Sequence, residues 1–367
     1  MSSNALGHKK LSTFIWEQNG RVFTDHPNPY DVGQKGPSMS WLRDEKQIGS
    51  GGFGSVFRET CVDGEGALVR AVKIISKPST PQHGTPLDYG RELAAIGLFS
   101  TTEKYERFFV KSDGWYDDSE NVYISMEFMA YGSLQQHLTQ PLPEAEARLI
   151  VEQVLTGVNY MHQENYAHRD LKPANILVAA RGPNWVVKIA DFGLSKRVVD
   201  DETMFRTVLG TRGYQAPEIL SLPPIGNGEQ LSYTDAVDVW SIGVILYVML
   251  TRQMPFYPNN ILAGYVSGTV QFPVENLQAV GVSVSGQDFV RTLLTANPQD
   301  RPRAATCLEL AWMTGSQTNS TMQVSTHAAS SSGSSGQRLG GCEDSAHRSR
   351  GSSNRRTDSQ RKEVHRG

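Results

Sequence analysis

Cysteine is scarce in this chain. Among 367 residues only Cys61, Cys307 and Cys342 occur, far apart and without paired spacing. That argues against a disulfide framework or a thiolate zinc site and suits a reducing compartment. An excess of one charge is also missing. The chain carries 35 Lys and Arg against 38 Asp and Glu, a formal net charge of −3. Bulk charge therefore favours neither nucleic acid nor a membrane surface as a specific partner. Long apolar runs are absent too. The longest, Val239 to Leu250, comes directly after Asp238, is too short to cross a bilayer, and reads as a buried core helix. The first thirty residues hold no apolar run behind a basic start, so no signal peptide is expected. A cytoplasmic and/or nuclear location is the resulting expectation.

What is present falls into distinct stretches. Residues 1–40 look like an N-terminal extension. Phe14-Ile15-Trp16 and Val22-Phe23 flank Asn19-Gly20, a dipeptide that favours a type I′ hairpin, and a loop rich in Pro and Gly comes next. The plain reading is a segment packed loosely on the domain after it; a regulatory or docking role is the alternative. From Trp41 to about Leu142, short β-branched and aromatic runs alternate with glycine and polar turns, as in Ser55-Val56-Phe57, Leu68 to Ile75 and Val122 to Met126. This predicts an antiparallel sheet with one helix near Tyr89 to Phe99. From Pro143 onward Ile150, Val151, Val154, Leu155, Val158 and Met161 recur at helical steps. Two strand runs, Asn175 to Ala179 and Trp185 to Ala190, bracket an Arg-Gly-Pro-Asn turn. The fold class is therefore α+β and bilobal, a small sheet-rich lobe before a larger helical one, with a cleft between them where ligand sites form. After Met313, Ser, Thr, Gly, Gln and Arg dominate. Residues 314–367 read as a disordered tail with a mildly basic end, a solvated segment or a weak site for nuclear import or anionic partners.

The stretch from Tyr166 to Val178 reads YAHRDLKPANILV, and Asp191-Phe192-Gly193 begins thirteen residues after Val178. Asp170, Lys172 and Asn175 crowd onto one short loop and Asp191 comes at hairpin distance. Oxygen donors beside one cation suit magnesium–phosphate chemistry, because hard cations take oxygen ligands and a phosphoryl group in flight needs its charge neutralised. The two motifs resemble the catalytic and magnesium loops of eukaryotic-type protein kinases. The resemblance covers about residues 42–313 and implies a kinase domain over that range, with ATP and Mg²⁺ as cofactors. It implies that Asp170 accepts the proton of the substrate hydroxyl, that Lys172 neutralises the γ-phosphate, and that Asn175 and Asp191 hold magnesium. His168 reads as structural. Glu218 and Arg301 resemble a buried ion pair of the family, and Asp238 the helix carboxylate that binds catalytic-loop N–H groups.

Gly49, Gly51 and Gly54 form G-x-G-x-x-G, a weak signal shared with dinucleotide-binding folds. A dinucleotide fingerprint needs a helix after the glycines, whereas Ser55-Val56-Phe57-Arg58 continues as strand. That fits a flap over phosphates, comprising Gly49, Ser50, Gly51, Gly52, Phe53, Gly54 and Ser55, with Phe53 shielding the tip. By resemblance Lys73 binds the α- and β-phosphates and pairs with Glu92, nineteen positions on; Glu103 is the rival partner. Met126 to Gly132 resembles the hinge, where the Glu127 carbonyl and the Met129 N–H would meet adenine. Ile48, Val56, Ala71 and Leu177 would enclose its ring; each alone is equally at home as plain core.

Lys172 two residues after Asp170, with Gly210-Thr211 before Tyr214, is the serine/threonine pattern, so the implied partners are protein substrates with Ser or Thr. Thr207, nine residues before Ala216, matches an activation-loop phosphosite, with Thr203 as runner-up. An upstream activating kinase or self-phosphorylation in trans would supply the phosphate, and Arg169 and Lys196 could pair with it. Phe109 to Tyr116 and Thr211 to Tyr214 bring the chain nearest to calcium/calmodulin-type and checkpoint-type kinases. Ser133 and Ala174 stand where arginine-directed kinases often carry glutamate, so that preference is not carried over. A catalytically dead scaffold, a small-molecule phosphotransferase and an oxidoreductase are the competing readings. Intact Lys73, Asp170, Asn175 and Asp191 argue against the first, the Ala216-Pro217-Glu218 motif and the Thr211 loop against the second, and the strand after the glycines against the third.

Overall fold

The computed structural model describes residues 9–27, 38–51, 54–63, 68–77, 89–191, 212–220, 222 and 235–315. β-Branched and aromatic runs at the N-terminal end form strands β1 (Phe14–Gln18), β2 (Arg21–Pro27), β3 (Ser38–Gly51), β4 (Gly54–Cys61) and β5 (Val69–Ser76). Helix α1 (Tyr89–Thr101) is next, then β6 (Ser112–Asp117) and β7 (Asn121–Glu127). The strands make one antiparallel sheet in the order β1-β2-β3-β4-β5-β7-β6. Asn19 (φ 53°) and Gly20 (φ 74°) turn β1 into β2 in the left-handed conformations a type I′ hairpin needs.

The hairpin forms as its sequence suggests, but the expected loose extension does not. β2 pairs with β3 from Phe23↔Leu42 to Pro27↔Ser38, so the N-terminal strands continue the sheet of the small lobe. Residues 9–11 also reach its opposite edge. Lys10 bridges Trp115 of β6 in parallel, with Leu11 N–H to Trp115 O at 2.7 Å and Trp115 N–H to Lys9 O at 3.0 Å. One continuous stretch of chain thus joins both edges. Gly114 (φ 146°) makes the crossing feasible, since a Cβ there would lie 2.8 Å from both the Leu11 side chain and the Lys9 carbonyl.

The large lobe begins with α2 (Leu134–His137) and α3 (Glu144–Gln163). Glu144 and Glu146 in the first turn of α3 complement its dipole. Asn165, at φ 61°, closes α3 and lets Tyr166 N–H reach back to Met161 O at 2.8 Å. That turn delivers the chain into the 166–178 stretch. A hairpin, β8 (Ile176–Ala180) and β9 (Val186–Ile189), comes after it, then α4 (Ala236–Thr251), α5 (Asn259–Val266), α6 (Val274–Ala279), α7 (Val284–Leu293), α8 (Ala304–Glu309) and α9 (Ala311–Thr314). Every residue of α4 is buried, as an all-round apolar run requires. Its Val239, Ile242, Leu246 and Met249 share one core with Ile150, Val154 and Val158 of α3 and with Leu293 of α7. The same core reaches the small lobe through Leu93, Ile96 and Phe99 of α1 against Ile75, Trp115 and Ile124. No helix among the described residues is long and apolar enough to cross a membrane.

Candidate active site

The loop at the end of α3 is fixed from below by α4. Asp238, fully buried in the first turn of α4, accepts Arg169 N–H on Oδ1 (2.7 Å) and His168 N–H on Oδ2 (2.9 Å). His162 Nε2 lies 2.9 Å from the same Oδ2. Burial pushes the Asp238 carboxyl up. The hydrogen bond from His162, the electrostatic pull of the His162 and His168 rings and the Arg169 N–H outweigh it and hold the group below its ordinary value. Arg169 sits at φ 64°, a left-handed conformation costing an arginine about 1–2 kcal/mol, and the bond to Asp238 holds it there. His168 spends both ring nitrogens on scaffold. The Ala190 carbonyl can only accept, so Nε2 donates to it at 3.1 Å, and Nδ1 takes Asp170 N–H at 3.3 Å. No proton-accepting position is left for a base.

Asp170 emerges above this platform. Lys172 Nζ lies 2.8 Å from its Oδ2, and Asn175 Nδ2 donates to its carbonyl (2.8 Å) and to Oδ2 (3.1 Å). Those acceptors fix the Asn175 amide with Nδ2 toward Asp170. Its Oδ1 has no donor among the described residues. The segment before β6 pins β9 through Val110 N–H to Ile189 O (3.0 Å) and Ile189 N–H to Phe108 O (2.8 Å). Asp191 leaves β9 in a left-handed conformation (φ 54°), and its Oδ1 meets Lys73 Nζ at 2.6 Å across 118 positions of sequence. Burial raises the Asp191 carboxyl; the charge and hydrogen bond of Lys73, with His168 and Lys172 behind, outweigh it and bring it below its ordinary value.

Asn175 and Asp191 offer hard oxygen donors. The free Oδ1 of Asn175 and a carboxylate held ionised suit a magnesium ion, which takes one or two protein oxygens and completes its shell from phosphates and water. Among the described residues no cluster of three His, Cys, Asp or Glu side chains competes for a metal.

The glycine segment joins two antiparallel strands, with Gly49↔Val56, Ser50↔Ser55 and Gly51↔Gly54 in register. The strand-to-helix geometry of a dinucleotide fingerprint is therefore absent. Val56 stands across from Lys73, and Ala71 across from Met126, on one face of the sheet. Met126 and Leu177 pack against Met129, Val110 and Ala190. Ile48, at the rim, is half exposed. Met129 carries Gly132 N–H on its carbonyl (2.9 Å), and its own N–H has no backbone partner among the described residues. Gly52 and Phe53 lie outside the described residues, as do Phe192, Gly193, Lys196, Thr203, Thr207, Gly210 and Thr211. Glu92 falls on α1 as expected, its side chain outside the described set.

A family profile described as "Protein kinase domain" matches residues 42–313, well over half of the chain. The chain belongs to the protein kinase family. Calcium/calmodulin-dependent protein kinase type 1 of Macrobrachium nipponense is 32% identical over 277 residues, 73% of each chain. Serine/threonine-protein kinase RAD53 of Saccharomyces cerevisiae is 32% identical over 277 residues, 73% of this chain and 32% of that one. Serine/threonine-protein kinase 17A of Oryctolagus cuniculus is 35% identical over 206 residues, 55% of this chain and 50% of the relative. Among solved structures, Rad53 residues 1–466 in complex with AMP-PNP superpose with a TM-score of 0.58 at 25% identity, over 81% of this chain and 83% of that one. With these relatives the protein is a nucleotide-binding serine/threonine protein kinase.

The kinase also carries the expected scaffold pair. Arg301 Nη1 donates to Glu218 Oε1 (2.8 Å) and to Ala236 O (2.8 Å), while Nε reaches Thr295 O (3.0 Å), so a buried guanidinium is both paired and hydrogen-bonded. Two anchoring residues are not evident from sequence. The Glu127 side chain binds Lys188 Nζ (2.6 Å) and Lys111 N–H (2.7 Å), tying the hinge to β9; the lone Lys188 inside an apolar strand is its signal. His162, the only histidine at the end of the apolar stripe of α3, is the hint for the bond to Asp238.

Proposed function

We propose that this kinase transfers the γ-phosphoryl group of ATP, as its magnesium complex, to Ser and Thr hydroxyls of protein substrates. The observation that carries the reading is the convergence of Lys73 and Asp191 from opposite lobes beside the Asp170–Lys172–Asn175 group. The substrate oxygen attacks the γ-phosphorus, the bond to the β–γ bridging oxygen breaks, ADP leaves, and the hydroxyl proton passes to Asp170. Lys172 offsets charge on the transferred group and Lys73 fixes the α- and β-phosphates. Asn175 and Asp191 would hold magnesium, which neutralises charge on the β- and γ-oxygens. Ile48, Val56, Ala71 and Leu177 enclose adenine, and the Glu127 carbonyl and Met129 N–H read its edge.

Activity is controlled by phosphorylation at Thr207, by an upstream kinase or by a second copy in trans. Arg169 supports this, since its exposed side chain has no carboxylate partner among the described residues. The enzyme works in the cytoplasm and/or nucleus on proteins, with no specific nucleic-acid or membrane partner. Its kinase domain spans 42–313, with residues 1–40 and 314–367 as its extensions. Asp170→Asn should lower turnover on a generic basic protein by orders of magnitude while AMP-PNP binding persists. Equal turnover in the two proteins would overturn the reading. Full activity of a Thr207→Ala protein that mass spectrometry shows to be unphosphorylated in residues 192–211 would overturn the switch alone.

A further inference from the structure

The sheet of the small lobe has two faces with different contents. Val56, Ala71 and Lys73 lie on the face that looks into the cleft. Arg70, Val72 and Ile74 alternate onto the other, and that face is closed over by residues 9–27. Leu11 and Ile15 pack in one cluster with Val72, Ile74, Tyr116 and Tyr123. The two strand neighbours of Lys73 are therefore seated directly on the N-terminal segment.

A buried polar chain runs beside this cluster. Glu59, fully buried, accepts Arg70 Nε (2.9 Å) and Nη2 (2.7 Å) and Arg43 Nε (3.0 Å). Arg70 Nη2 meets His26 Nε2 at 2.9 Å, and His26 Nδ1 meets Thr13 Oγ1 at 2.8 Å. A guanidinium has no lone pair to offer, so His26 accepts from Arg70 and donates to Thr13. Trp41 covers Arg70, with the guanidinium 4.2 Å from the ring centre. At the far edge, Lys10 pairs with Asp117 at 2.6 Å and lies over Trp115. Asp117 also takes Lys77, which leaves β5 one residue past its end.

From this arrangement we infer that residues 9–27 are a closing strap of the small lobe, and that His26 and Arg70 are positioning residues which set nucleotide affinity through Lys73 without touching nucleotide. Rigid seating of β5 holds the Lys73 ammonium where the phosphates need it. Once the strap lifts, Val72 and Ile74 lose their backing and Lys73 samples positions that do not bind. The inference rests on the reading of Lys73 as the phosphate ligand.

The test uses the full chain and three variants. Gly114→Val fills the crossing point of Leu11 and Lys9, Lys10→Glu reverses a surface charge against Asp117, and Arg70→Met cuts the link to His26. Lys10→Glu leaves the core intact and keeps the test informative if Arg70→Met fails to fold. Hydrogen exchange at residues 9–18 reports strap release, and Mg–AMP-PNP titration with steady-state kinetics reports the site. The expected result is faster exchange with a five- to twentyfold rise in KM for ATP and in the AMP-PNP dissociation constant, while kcat and KM for the protein substrate stay within twofold. A merely structural role would lower melting temperature and active fraction without separating KM for ATP from the other constants, and that outcome overturns the inference. So does released exchange with unchanged ATP affinity. Wild-type protein that binds no AMP-PNP would overturn the Lys73 reading and this inference together, whereas normal wild-type binding with unaltered strap variants removes the strap alone.

Discussion

Acid should unfasten this kinase at His26 before its carboxylates titrate. The imidazole is buried beside the Arg70 guanidinium, and burial first, Arg70 second, bring its pKa from 6.5 down to about 4; the Ser12 carbonyl and Asp25 offset only part of this. Between those two values the unfolded chain takes up a proton that the folded chain refuses. Stability therefore rises with pH across the window and is fully present above about pH 6.5. At about 1.4 kcal/mol per pH unit, a shift of this size removes about 2 kcal/mol by pH 5 and about 3 kcal/mol near pH 4. The carboxyls of Asp117, Asp118, Glu144, Asp191 and Asp238 are all held below their ordinary values. Their contributions are present above those ordinary values and fade as pH falls through the lowered ones, mostly below the histidine window. The perturbation is His26→Gln, which keeps an acceptor for Arg70 but cannot be protonated. Thermal and urea unfolding at pH 7.5, 6 and 5 should show wild type losing several degrees of melting temperature toward pH 5, with the variant changing much less. Equal pH slopes in the two proteins would refute the placement of a neutral, accepting His26 against Arg70.

Asp238→Ala strands the buried N–H of His168 and the partly buried N–H of Arg169 and should cost about 2–4 kcal/mol of stability and at least tenfold in kcat, read by denaturant midpoint and phosphotransfer rate. Arg301→Met leaves the Glu218 carboxylate buried without its partner and should cost about 3–5 kcal/mol, seen as a large fall in melting temperature. Lys73→Met should abolish measurable AMP-PNP binding while raising the Asp191 pKa, since the largest stabilising charge beside that carboxylate is gone; calorimetry and carboxyl NMR titration check the two halves separately.

The parts of this molecule legible from sequence are those where chemistry or periodicity fixes the spacing. Asp170, Lys172 and Asn175 must share a turn to act together, so their intervals announce them. Residues 239–250 are apolar all round and could only be a core helix. Strands β4, β5 and β7 carry β-branched runs that leave little choice. The strap was not legible, for a physical reason. Its closure depends on one parallel bridge, Lys10 to Trp115, between residues 105 positions apart, and nothing local encodes it. Strand β6 reads Ser-Asp-Gly-Trp-Tyr-Asp, half of it polar. Glu59 and Arg70 look like solvent-facing strand residues until the sheet closes and turns their side into an interior. Patterning assumes that polar means outside, and here a paired Glu and Arg break that rule.

Joining the two margins of the sheet has a practical consequence for anyone trimming this kinase to its family-matched region. A chain begun at residue 42 would retain every residue assigned to chemistry, yet it would lose the start of β3 along with β1 and β2, and would bare ladder groups at Leu42 of β3, at Cys61 and Val62 beside it, and at Trp115 of β6. Unpaired strand margins recruit one another. Such a truncated protein should stick to its own copies in solution, and light scattering against the full chain would reveal it.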